Sequence, residues 1–334
     1  MSDTPPEANP EAPMFDVDGE PSVLGVSDTV EFTRARRKEL KAQRKEAKRL
    51  HKAAIYENTD DDIVFIYEPH VRYVPPLRPY ARDLWTRRAF AVELARSKLK
   101  GKRSNTVLGG LWALIDPLFM VCLYYFLFSV LRGGQRPSEF IPVIISGILH
   151  FQVSAAALNE GGNSVSSQSG LMLNSTFPRM LLPISAIYGG FLKFLPSIPI
   201  ILTATLVLDA EIGVNTFWWL ALFPLQVIIG LGLALLISTL VVFYADMKNL
   251  LTYISRIVFF TSPVIWPADL PSDAIISVVR WMPFFGVFAN YQAILGGESP
   301  DMTLMAISVG WAIGSVILGS WLFLRFEREF ATKL

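Results

Sequence analysis

Four side chains able to carry charge or hold a proton lie inside long apolar runs: Asp116, His150, Lys193 and Arg256. A charge at the centre of a bilayer costs at least roughly 3 kcal/mol, so each must pair, reach water or meet a ligand. Asp116 sits about a turn into its run, just before Pro117, where it could pair with a basic group of an adjoining helix or face a pathway. Lys193 lies too deep for its stem to reach water easily; a phosphate, a carboxylate or an interhelical partner would suit it equally. Arg256, near the start of its run, can extend to the headgroups. His150 is the weakest of the four candidates.

Other chemistry is missing from the sequence. No Gly-x-x-x-x-Gly-Lys followed by Ser or Thr occurs, because Arg96 stands where the first glycine should precede Gly101-Lys102. Energy, if required, must come from a partner. The histidines His51, His70 and His150 are far apart, and with the lone Cys122 they form no metal-ligand spacing. No nucleophile, histidine and carboxylate stand in a recognisable catalytic grouping.

The elements that would position these residues are read from composition. Of 334 residues, 52% are hydrophobic and 18% charged, with a mean hydropathy of +0.40, which excludes an average soluble protein. The net charge of +1 gives no whole-chain reason to bind nucleic acid. Residues 1–28 are acidic and Pro-rich, and are expected to be disordered rather than a cleavable signal. Residues 29–79 begin with a basic helix suited to anionic headgroups or to solvent, then become a Pro-broken connector. Residues 80–104 repeat Leu84, Trp85, Val92, Ala95 and Leu99 at helical spacing among basic residues, predicting an amphipathic helix along the membrane surface.

Six runs in residues 105–325 approach the ~20 residues that cross a bilayer: 111–131, 140–158, 184–208, 217–243, 250–267 and 303–324. Residues 271–295 hold two shorter apolar stretches split by Pro283, predicting a helical hairpin that dips part-way into the membrane. The expected fold is thus all-α, with a tail at 326–334. Residues 1–110 carry 20 of the 30 Lys and Arg, and Arg179, Lys248, Arg325, Arg328 and Lys333 fall on the same side of this arrangement. Arg132, Arg136 and Arg280 alone fall opposite, so both termini are expected in the cytoplasm.

Aromatic residues are abundant in and around the spans: Trp112, Tyr124, Tyr125, Phe128, Phe151, Phe259, Phe260, Trp266, Phe284 and Phe285. They suit interfacial anchoring and packing. They also suit a passage in which ring faces stack on the apolar faces of sugars and let a polymer slide.

Several motifs stand together in order. Leu108-Gly109-Gly110-Leu111-Trp112 and Asp116-Pro117-Leu118 follow the basic helix. Then come Gly147-Ile148-Leu149-His150-Phe151, Asn174 with Phe177-Pro178-Arg179, and Tyr244-Ala245-Asp246-Met247. Ser262-Pro263-Val264-Ile265-Trp266-Pro267 and Phe326-Glu327-Arg328-Glu329-Phe330-Ala331 close the series. Over residues 80–334 this order and spacing resembles the type-2 ABC exporter permeases that carry polysaccharides. His150, Ala245 and Met282 depart from the residues usual there. The long basic N-terminal extension is similar to that of the actinobacterial exporters of lipid-linked cell-wall galactan.

The resemblance implies a homodimeric permease with two copies of a separate nucleotide-binding subunit, which would hold ATP and Mg; no cofactor is expected in this chain. Its cargo would be a polyprenyl-diphosphate-linked glycan, moved from cytoplasm to outer leaflet of the inner membrane. Arg87, Arg88, Arg96, Lys98, Lys102 and Arg103 could recruit the diphosphate or simply anchor the helix. The resemblance assigns ATPase coupling to Asn163, Ser164, Ser167, Gln168, Phe177, Arg179 and Asp246. It makes the hairpin at 271–295, with Pro283, Phe284 and Phe285, an extracellular gate. The competing readings are an O-antigen, teichoic acid, small-lipid or drug exporter of the same kind, and a membrane-embedded glycosyltransferase. For the last, the acids Glu139, Asp209, Glu211, Asp269, Asp273, Glu298 and Asp301 are scattered.

Overall fold

Long apolar runs, short polar connections and well-placed prolines yield a helical bundle. The computed structural model describes residues 76–103, 107–131, 140–174, 177–207, 213–268 and 273–333, all within the unit Pro69–Leu334. Residues 1–28 and nearly all of 29–79, and the loop acids Glu139, Asp209, Glu211 and Asp269, lie outside the described residues. Every regular element among the described residues is helical.

The single helix expected over 80–104 is two, α1 (Leu77–Thr86) and α2 (Arg88–Arg103). Between them Arg87 adopts φ −94° and ψ 13°, while Thr86 Oγ1 donates to the Arg82 carbonyl at 2.9 Å, a local bond that competes with the helical ladder. After a tight turn at Gly109–Leu111 comes α3 (Trp112–Leu131). The next helix, α4 (Phe140–Ala156), runs into a π-helical turn (Ala157–Gly161), and a tight turn at Ser166–Gln168 leads to the short α5 (Ser169–Asn174). Then follow α6 (Leu181–Phe194), α7 (Ser197–Val207), α8 (Trp219–Phe243) and α9 (Met247–Thr261). The hairpin is α10 (Asp273–Val279) and α11 (Phe285–Leu295), and the chain ends with α12 (Met302–Phe326), a turn at Glu327–Glu329 and α13 (Phe330–Lys333).

Four of these, α3, α4, α8 and α12, are long and apolar enough to cross a membrane; α6 and α7, bent by 42°, make a fifth if counted as one span. The bend falls at Pro196, which has no N–H to continue α6, while Leu195 before it stays helical (φ −48°, ψ −45°). The run at 250–267 was expected to be a full span, yet α9 has 15 residues, about 22 Å at 1.5 Å per residue. It stops because Ser262 turns extended (φ −92°, ψ 147°) ahead of Pro263. Two short helices do stand on either side of Pro283, and neither can span alone.

Small residues set the packing, as expected where lipid removes the hydrophobic drive between helices. A Cβ on Gly319 of α12 would stand 2.3 Å from the Gly232 carbonyl oxygen of α8. One on Gly147 of α4 would stand 1.9 Å from the Val264 carbonyl oxygen. Against this dense core, α3 is unusual: among its described side chains Pro117 alone is buried, and Phe119, Phe126 and Leu131 are exposed. On α2, Ala91 and Ala95 are buried, and Ala95 comes 3.9 Å from the position a Cβ on Gly189 of α6 would take. Tyr80, Leu84 and Leu94 pack on a core that includes Val165, Leu182, Phe323 and Phe330. α2 thus buries Ala91 and Ala95 against protein, whereas α1 has no buried residue and leaves Leu77 65% and Trp85 70% exposed.

Candidate functional site

Between α3, α4 and α9 opens a cavity of about 990 Å³. Its wall holds Trp112, Tyr124, Phe151, Phe259 and Phe260, five of the ten aromatics named from sequence. Tyr124 and Phe151 approach Phe259 with ring centroids at 5.6 and 4.9 Å, and Phe260 continues the wall from Phe259 at 5.2 Å. Phe128 packs on the core beside this wall, Tyr125 is half-buried, and neither lines the cavity. Trp266 also lies apart from it, its indole N–H donating to the Phe260 carbonyl at 3.1 Å.

Three charged residues line the same cavity, Asp116, Arg256 and Lys193. Asp116 and Arg256 are exposed to it, and among the described residues Asp116 has no ion-pair partner, so the pairing considered for it with the adjoining helix is not formed there. Lys193 is paired: its ammonium contacts Glu160 of the π-helical turn. It occupies the last turn of α6, where the free carbonyls of a helix C-terminus favour a cation. Glu160 falls two residues beyond the expected end of the second span, where the sequence pattern predicts loop.

Lys193 also lines a second cavity of about 590 Å³, bounded by Lys98, Leu99 and Gly101 of α2 and by Asn163, Ser167 and Gln168. Three of the candidate coupling residues thus face a chamber inside the bundle. Ser164 is 1% exposed, its hydroxyl without a hydrogen-bond partner among the described residues. Phe177 packs against Phe90 with centroids at 4.9 Å and rings tilted by 45°, and Asp246 is exposed at the start of α9.

Of the basic residues considered for diphosphate recruitment, the four whose side chains are described do not converge. Arg87 pairs with Asp83 at 2.8 Å, Arg88 stacks over Trp85 at 4.7 Å, Arg96 is exposed, and Lys98 faces the second cavity. Lys102 and Arg103 belong to α2, but their side chains lie outside the description. In the hairpin, Phe284 and Phe285 are 0% and 2% exposed, packed in the core.

Two buried polar clusters were invisible in sequence. His150 donates from Nδ1 to the Ser146 carbonyl at 2.8 Å and accepts at Nε2 from the Trp219 indole at 2.8 Å, which assigns a neutral ring with both nitrogens satisfied. Beside it, Gln226 donates to the His150 carbonyl and to Ser154, each at 2.9 Å, and accepts from Tyr291 at 3.0 Å. These bonds tie α4, α8 and α11 together. Where α12 ends, Glu327 Oε1 accepts from the Tyr80 hydroxyl at 2.9 Å and from the Arg179 amide at 2.7 Å, while the Arg179 guanidinium donates to the Glu327 carbonyl. Burial pushes the Glu327 carboxyl above its usual range against the opposing bonds from Arg179 and Tyr80, and burial together with the Glu327 charge raises the Tyr80 hydroxyl.

No family model matches the chain. Over 248 residues it is 27% identical to the O-antigen export system permease protein RfbA of Myxococcus xanthus, covering 70% of this chain and 94% of that relative. Over 244 residues it is 22% identical to the protein of the same name from Klebsiella pneumoniae, covering 73% and 94%. The chain is similar to O-antigen export permeases. With its long apolar helices, this similarity makes it a multi-pass membrane protein. The match extends over nearly the whole of each relative.

Proposed function

We propose that the chain is the transmembrane subunit of an ATP-driven exporter that moves a polyprenyl-diphosphate-linked polysaccharide from the cytoplasm to the outer leaflet of the inner membrane. The observation that carries this reading is the aromatic-walled cavity with cationic residues at its border, which suits a sugar polymer led by a phosphate. The relatives, named for O-antigen export, support a polysaccharide cargo. Cell-wall galactan is our specific proposal and rests on the basic N-terminal extension; O-antigen is the alternative that the relatives' names favour.

In this reading two copies of the chain assemble with two copies of a nucleotide-binding subunit, which hydrolyses ATP. Both termini face the cytoplasm, where 20 of the 30 Lys and Arg lie in residues 1–110. The sixth crossing is completed by α9 with the turn after it. Asn163, Ser167, Gln168, Phe177, Arg179 and Asp246 belong to the surface and chamber that respond to the ATPase. The hairpin α10–α11 closes the outer end of the path.

Depletion of the protein in its native cells, followed by extraction and sizing of polyprenyl-linked glycans, tests the reading. Finished polymer should accumulate inside, and its sugars identify the cargo. Loss of polymer would point to a glycosyltransferase, and an unchanged profile to export of small lipids or drugs.

A further inference from the structure

Lys193 is shared by the two cavities, and the chain is irregular on both sides of it. The α6–α7 path bends by 42° just beyond it, and the facing segment is the π-helical turn Ala157–Gly161 that carries Glu160. Non-helical backbone at membrane depth persists where it lines a wet cavity or is covered by protein, and helix breaks of this kind mark binding sites. The Lys193 and Glu160 side chains are 24% and 32% exposed, so a ligand can reach the pair. One cavity has an aromatic wall and the other brings Lys98, Asn163, Ser167 and Gln168 beside Lys193, so their junction suits an amphipathic molecule with an anionic head.

We propose that Lys193 anchors the phosphate of a phosphate-bearing lipid, and that Glu160 is an internal anion holding the site until that phosphate displaces it. A diphosphate carries more charge than a carboxylate and offers more acceptor oxygens, so it competes for the ammonium. Displaced, Glu160 would face a like charge across a short distance and must move away. It lies three residues before Asn163, and Asn163, Ser167 and Gln168 line the same chamber. Ligand arrival is thereby transmitted to this loop. The proposal rests on the export reading, which supplies a lipid diphosphate as the natural ligand.

The test uses the full chain in phosphatidylcholine nanodiscs with geranylgeranyl diphosphate as probe, binding being followed by tryptophan fluorescence. Lys193→Gln should weaken binding roughly tenfold or more, as expected for loss of a charge-assisted contact. Glu160→Gln, which removes the competitor, should tighten it severalfold. A purely structural pair predicts instead that both variants weaken binding alike, and that outcome overturns the proposal, as does wild-type affinity in Lys193→Gln. If a single variant fails to fold because one charge is left alone, Glu160→Gln with Lys193→Gln carries the test. Loss of binding there supports the anchor and wild-type binding defeats it. Geranylgeraniol binding as tightly as the diphosphate would overturn the phosphate contact, and inorganic pyrophosphate binding as tightly would overturn the lipid. Polymer accumulation on depletion, together with unchanged binding in Lys193→Gln, would sink the anchor and leave the export reading standing.

Discussion

The bundle holds two polar regions that contrast sharply. Around His150, Gln226 and Tyr291 every polar side-chain group named is hydrogen-bonded within the protein and almost fully buried. Around Lys193 and Glu160 an ion pair stands partly exposed between two cavities. The first joins three helices and satisfies its polar groups within the protein, even where Ser146, His150, Trp219 and Tyr291 border a cavity of about 390 Å³. The second can exchange its partner at modest cost, because water and cavity space already reach it. Polar groups within apolar helices therefore divide by whether the protein satisfies them completely, since an unpaired buried group costs about 1–3 kcal/mol and a cavity-facing one does not.

The largest effect should come from the dry core beside the first region. Phe284→Ala with Phe285→Ala removes two buried rings, each worth about 3–5 kcal/mol. Thermal unfolding in detergent should show a drop of many degrees before any change in gating can be read. A small drop, accompanied by increased leak, would instead place these rings at a movable gate.

Next comes Gln226→Leu, which leaves Tyr291 and Ser154 without their partner and should cost about 2 kcal/mol. Glu160→Gln with Lys193→Gln should change the same midpoint far less, since partly exposed pairs contribute about 0–1 kcal/mol. Equal losses in the two experiments would erase the distinction between the regions.

The smallest effect concerns Glu327, intermediate between the two because it is buried yet bonded to Tyr80 and Arg179. Its carboxyl is raised in the folded protein above the ordinary value of 4.5, so the folded state holds that proton more tightly. Its contribution is fully present below that ordinary value and declines as pH rises through the raised one. The midpoint of the native protein minus that of Glu327→Gln should therefore fall as pH rises through this window, and a flat difference would show that the bonds from Arg179 and Tyr80 cancel the burial.

Much of this was legible in the residues. The apolar runs announced a helical membrane protein because composition alone decides whether a segment tolerates lipid, and Pro283 announced the break between α10 and α11 because proline cannot continue a helix. Five aromatics of the cavity were named from sequence because they recur along the spans that face it. The break after Lys193 has its signal in Pro196, masked in the pattern by an apolar run that continues across it. The early end of α9 had the same kind of signal in Pro263.

By itself the sequence determined where lipid-compatible helices form, where prolines interrupt them, and on which residues intramembrane charge falls, because these are local properties of composition and backbone chemistry. The tertiary structure alone decided that Lys193 meets Glu160, 33 positions away in the chain, that His150 is satisfied by Trp219, and that Phe284 and Phe285 are core. Those outcomes depend on which helix faces oppose each other, and that is set by the close approach of small residues such as Gly232 and Gly319, which the pattern along one chain does not encode locally.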